Sequence, residues 1–151
     1  MTFESPSHPD LRDRIEAVFL QQGLMGFLGV QLGEVVSGRV RLVLPYRQEL
    51  TQQHGYFHAG ATSSIADSAG GFAGLTVFPA GSSVLSVEFK INLLAPAKGD
   101  RLEAVGSVIR SGRTLTVCQF EVFAIADEVR TIVAVGQQTL ICIPERSAAA
   151  N

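Results

Sequence analysis

From residue 82 onward the chain alternates apolar and polar side chains with the period of two that a half-buried strand requires. In SVLSVEFKINLLAP the apolar set is Val87, Phe89, Ile91 and Leu93, and the polar set is Ser86, Glu88, Lys90 and Asn92. RLEAVGSVIRSG, RTLTVCQFEVFAIAD and RTIVAVGQQTLICIP follow as three more strands. Their turns fall at Lys98-Gly99-Asp100, Ser111-Gly112 and Asp127-Glu128. Links this short predict an antiparallel meander.

The first half has a different rhythm. In LRDRIEAVFLQQGLMGFLG, residues Leu11, Ile15, Val18, Phe19 and Leu24 form an approximate helical stripe, with Asp10 as N-cap and the glycines from Gly23 as the stop. VQLGEVVSGRVRLVLP reads as two short strands around a turn at Ser37-Gly38, and 46–57 as a loop. Residues 58 to about 77 carry four glycines, each costing roughly 1 kcal/mol relative to alanine in a helix. The alanines, the length and the lack of proline before Pro79 still favour a helix. Helix, two strands, long helix and four strands amount to an α+β domain, with helix packed on antiparallel sheet. A single domain over 1–151 is expected, with 1–10 and 145–151 as flexible ends. One sheet face is left open, which points to dimerisation.

Composition narrows the function. The 151 residues suffice for one domain with a real core; 46% are hydrophobic and 17% charged, which excludes a disordered chain. A net charge of -2 gives no steering toward nucleic acid or an anionic membrane. Cys118 and Cys142 lie in alternating apolar segments and read as free thiols in a reducing, cytoplasmic setting. No zinc-ligand spacing, secretory signal pattern or apolar run of about 18 residues is present, so neither metal nor membrane is expected.

One carboxylate, Asp67, stands alone in QQHGYFHAGATSSIADSAGGFAG. Its helical neighbours Ser63, Ser64, Gly70 and Gly71 leave a thin face that lets a ligand or another backbone come close. Burying a lone carboxylate is costly unless something bonds to it. Asp67 is therefore a general base or nucleophile, or else a surface or structural carboxylate bonded to neighbouring backbone. His58 stands at the helix start, where free N–H groups suit a developing negative oxygen, and Ala59 and Gly60 offer little obstruction. A capping role for His58 and a loop role for His54 are the plainer readings. His58 and Asp67 are nine residues apart, about 180° around a helix, so they do not form a dyad on one face. No nucleophile elbow, phosphate-binding loop or dinucleotide fingerprint occurs. Arg110 and Arg113 in RSGRT are either solvated turn charges or a clamp for an anionic ligand.

QQHGYFHAGATSSIAD, LSVEFKINLLAPAKGD and SGRTLTV together resemble the hotdog-fold acyl-CoA thioesterases, in particular the PaaI-like branch that includes 4-hydroxybenzoyl-CoA thioesterases. The similarity runs from about residue 24 to 143. It implies a long central helix wrapped by an antiparallel sheet, in homodimers and commonly dimers of dimers, a homotetramer, with active sites between subunits. It implies an acyl-CoA substrate and chemistry that needs no metal or cofactor. Asp67 falls at the catalytic acid, as nucleophile or base for water. The Ala59 N–H, where most relatives have glycine, falls where the thioester carbonyl is polarised. Gln52 falls near the reacting carbonyl or water, and His58 orients the loop and helix start. Ser86 lies near the reaction centre from the opposing subunit. Gly60 and Ser63 border the substrate, and Arg110 and Arg113 match a turn near the CoA phosphates in some relatives. The alternative is a non-catalytic acyl-CoA-binding module of the same fold. Hotdog dehydratases need differently spaced motifs that this chain lacks, and a scaffold without ligand is the plainest reading. Phe57, Phe72, Phe78 and Phe89 fit an aryl or an alkyl pocket, or the core. Aryl, phenylacetyl-type and medium-chain acyl groups all remain open.

Overall fold

The computed structural model describes residues 9–145. Most positions of the expected flexible ends (1–8 and 146–151) lie outside that range. The elements are α1 (Pro9–Phe19), α2 (Gly23–Leu28), β1 (Gln31–Val36), β2 (Arg39–Pro45), a 3₁₀ turn (Gln48–Leu50), α3 (Ala59–Leu75), β3 (Ser83–Leu93), β4 (Arg101–Ser111), β5 (Leu115–Ala126) and β6 (Val129–Ile143). All six strands join one antiparallel sheet in the order β1-β2-β4-β5-β6-β3. The expected α+β layout, helix on sheet, is what forms. Among the described residues no helix is long and apolar enough to cross a membrane.

Four sequence expectations need correction. The meander holds only for β4, β5 and β6. β3 pairs with β6 at the edge, so Lys98-Gly99-Asp100 belongs to a crossover and not a hairpin. The link from Leu94 to Asp100 contains Pro96 and is pinned by Leu94 N–H to the Val133 carbonyl (2.8 Å) and Asp100 N–H to the Ile125 carbonyl (2.7 Å). Next, Gly23 does not stop helical structure; it begins α2. The real stop is Gly29, whose φ of 79° is a conformation glycine adopts without strain. Asp10 is also inside the first turn of α1 and is not its N-cap.

The fourth correction concerns β3. The register shifts between Ser86 and Glu88: Ser86 pairs with Leu140 and Glu88 with Thr139, so Val87 is an unpaired bulge. An extra residue reverses which side chains share a face. Ser86 therefore joins Phe89, Ile91 and Leu93, which pair with Gln138, Gly136 and Ala134 on the α3 side of the sheet. Sequence alternation had set Ser86 with Glu88, Lys90 and Asn92.

α3 survives its glycines because the sheet comes so close. Ile65, Ala66, Ala69, Phe72 and Ala73 are buried against it. A Cβ on Gly106 of β4 would stand 2.3 Å from the Ala69 carbonyl oxygen, and one on Gly74 would stand 2.4 Å from Leu140. The bare positions convert helix propensity into backbone-level packing.

Candidate active site

α3 begins with a side-chain cap. His58 is extended (φ -63°, ψ 140°), and its Nδ1 accepts from the Gly60 N–H at 2.8 Å. The Ala61 and Thr62 N–H groups turn back to the His58 carbonyl. The Ala59 N–H has no hydrogen-bond partner among the described residues. It borders a cleft of ≈ 510 Å³ shared with Gln52, Tyr56, Thr62, Leu93 and Val133. Gln52 closes its own turn, accepting from the His54 N–H through Oε1 while its N–H donates to the Tyr56 carbonyl.

Asp67 lies further along α3, half-buried, where it lines two other cavities. Ser86 Oγ donates to Asp67 Oδ1 at 2.6 Å, a contact that the Val87 bulge makes available. Gln138 Nε2 donates to the same Oδ1 at 2.8 Å, and approaches the Asp67 carbonyl at 3.2 Å and Ser86 Oγ at 3.3 Å. Asp67 forms no ion pair among the described residues. The carboxylate is thus held by neutral donors alone. Ser86, expected near the reaction centre from an opposing subunit, bonds to Asp67 of its own chain.

Gln138 was missed, although its signal is present. In TIVAVGQQTLICIP it falls in step with Ala134, Gly136 and Leu140, a polar residue on an otherwise apolar face. Gln22, from the α1–α2 link, borders both Asp67 cavities and had no signal at all. Ser63 shares one of those cavities, and Gly60 faces a separate cleft with His58 and Glu49. Gly70, expected to thin a ligand-facing side, instead backs onto Gln138, whereas Gly71 is open. Phe57, Phe72 and Phe78 are core residues; Phe89 is 41% exposed and borders an Asp67 cavity. Arg110 and Arg113 are exposed at the β4–β5 hairpin and join no ion pair among the described residues. The hairpin is tied to the end of β6 by Cys142 N–H to the Thr114 carbonyl (3.1 Å).

Asp67 and Ala59 do not meet within one chain. Eight residues at 1.5 Å rise separate them by about 12 Å along the axis.

A long helix seated on a six-stranded antiparallel sheet has known counterparts. Residues 54–131 match the family model of the Thioesterase superfamily. The chain belongs to that family. This thioesterase is similar to the crystal structure of a thioesterase family protein from Silicibacter pomeroyi, with TM-score 0.87, 37% identity, and coverage of 89% of this chain and 98% of that one. A Halobacterium salinarum protein named as a candidate esterase is 34% identical over 82% of this chain and 86% of its own. The Escherichia coli PaaI protein from the phenylacetic acid degradation operon shares the fold, with TM-score 0.81 at 21% identity over 93% of this chain and 98% of that one. The thioesterase fold is the hotdog fold, and the protein is a thioester hydrolase.

Proposed function

We propose that this thioesterase hydrolyses acyl-CoA thioesters, with Asp67 as the reacting carboxylate and the Ala59 N–H as the oxyanion donor. The observation that carries the reading is Asp67 itself. It is half-buried, unpaired with any cation among the described residues, and held by neutral donors beside open cavities. Neutral donors hold the group without offsetting its negative charge, as a charged partner would. An Escherichia coli relative named 1,4-dihydroxy-2-naphthoyl-CoA hydrolase, 25% identical over 66% of this chain and 74% of its own, supports a CoA ester as the substrate type.

The 12 Å gap implies a composite site. One subunit presents Asp67 and Ser86; a second presents the Ala59 N–H with Gln52, while His58 holds the helix start in shape. Exposed apolar residues on the edge strand β3, Leu85 (60%) and Val87 (59%), support a homodimer, extended to the dimer of dimers. The thioester carbonyl oxygen takes the Ala59 N–H, and charge developing on it is met by a donor already in place. Asp67 then adds to the carbonyl carbon and expels CoA thiolate, leaving an anhydride for water to open, or takes a proton as water adds and CoA leaves. Gly60 and Ser63 border the acyl chain, and Arg110 and Arg113 receive the CoA phosphates. Two free thiols fit a reducing cytoplasm.

The test is Asp67→Asn, nearly isosteric, assayed across aryl, phenylacetyl-type and medium-chain CoA thioesters. Hydrolysis should collapse on every substrate while folding and acyl-CoA binding persist. Wild-type turnover by the Asn variant sinks the assignment.

A further inference from the structure

We propose that Gln138 is a positioning residue for Asp67, fixing which carboxylate oxygen meets the substrate; this rests on Asp67 being the reacting group. Oδ1 receives two donors, Ser86 Oγ at 2.6 Å and Gln138 Nε2 at 2.8 Å, whereas Oδ2 has no hydrogen-bond partner among the described residues. The two oxygens are therefore inequivalent: one is occupied, and the other is left for the cavities that Asp67 lines.

The amide is itself fixed. Gln138 is 1% exposed, and its Nε2 also reaches the Asp67 carbonyl and Ser86 Oγ, tying carboxylate, helix backbone and serine together. Turning the amide over would set Oε1 against the Asp67 carbonyl and Oδ1, acceptor against acceptor. The observed orientation leaves Oε1 buried with no partner, an arrangement proteins rarely retain without a reason. Space for it exists only because α3 carries no side chain at residue 70: a Cβ on Gly70 would stand 1.6 Å from Gln138 Oε1. Strand residue and helix glycine thus form one fitted pair, and Oδ2 is the oxygen that attacks or takes the proton.

The experiment uses Gln138→Met, close in shape but without the donor, and Gly70→Ala, which keeps Gln138 but displaces its amide. Asp67→Asn and the double variant Asp67→Asn/Gln138→Met complete the cycle. Thermal unfolding of each is measured, and kcat and KM are taken on the acyl-CoA thioester the wild type turns over best. Loss of positioning should lower kcat by about 10²-fold in Gln138→Met and in Gly70→Ala, with KM within about threefold. In the Asp67→Asn background the Gln138 change should have no further effect. Wild-type kcat in either folded single variant overturns the positioning role while leaving Asp67 in place. An equal fractional loss with and without the Asp67 carboxylate overturns it too, since the amide then acts on the fold and not on Asp67. Full activity in Asp67→Asn removes the underlying reading instead.

Discussion

Ala59→Pro isolates one N–H. Ala59 is the first residue of α3, where proline is well tolerated because the N–H there has no helical acceptor. The preceding residue must be extended for proline to follow, and His58 already is, at φ -63° and ψ 140°. The His58 cap on the Gly60 N–H and the Ala61 and Thr62 bonds to the His58 carbonyl are untouched. Stability should therefore stay within about 0.5 kcal/mol of wild type in urea unfolding, the range of an ordinary surface change. Removing a single oxyanion donor costs about 10²–10³ in kcat, or ≈ 2.7–4 kcal/mol of transition-state stabilisation. Release of CoA thiol from the thioester, followed with a thiol-reactive dye, gives kcat and KM. Ala59→Val is the companion: it adds bulk at the same place and keeps the N–H, so any change it causes falls on KM. A folded Ala59→Pro protein with wild-type kcat would refute the oxyanion role of this backbone group.

Gly106→Ala should destabilise by about 3 kcal/mol or more, at or beyond the upper end of ordinary overpacking, because its Cβ meets the Ala69 and Gly70 backbone within 2.4 Å. Gly71→Ala, with nothing within 4 Å, should be neutral or gain up to about 1 kcal/mol; equal denaturation midpoints for the two variants contradict the packing described. Burial pushes the Cys118 thiol up to about 11, so it stays protonated and unreactive at pH 8. Alkylation of the native protein mapped by mass spectrometry should then mark Cys142 and not Cys118, with both marked after unfolding.

Much of the architecture was legible because it is local. The alternation over β4 to β6 and the left-handed pair Asp127 and Glu128 (φ 49° and 61°) at the β5–β6 hairpin are short-range signals. So is the small-residue helix ending in its histidine cap. Strand order is not local: a seven-residue link with a proline serves a crossover as readily as a loop between neighbours, and only the pairing of β3 with β6 decides. The Val87 bulge was illegible for a related reason. Alternation of side chains continues in the sequence through a bulge, while the pleat does not, so Ser86 read as sharing a face with Glu88, Lys90 and Asn92 when it lies on the face of Phe89 and bonds to Asp67. Gln138 was legible in principle, as the polar step in an apolar register.

The choice of partners for Asp67 carries the chemical meaning of these devices. An arginine at the place of Gln138 would hold the carboxylate more firmly, but a guanidinium binds both oxygens at once and offsets their charge. An amide and a hydroxyl converging on Oδ1 orient the group and leave its negative charge in place, with Oδ2 free of any partner among the described residues. Neutral donors alone would leave a mobile carboxylate if the helix could shift, and here it cannot shift far. Ala69, two residues beyond Asp67, presses its carbonyl onto Gly106. Gly106 of β4, with Gly70 and Gly74 of α3, thus sets the distance from helix to sheet at which neutral side chains suffice.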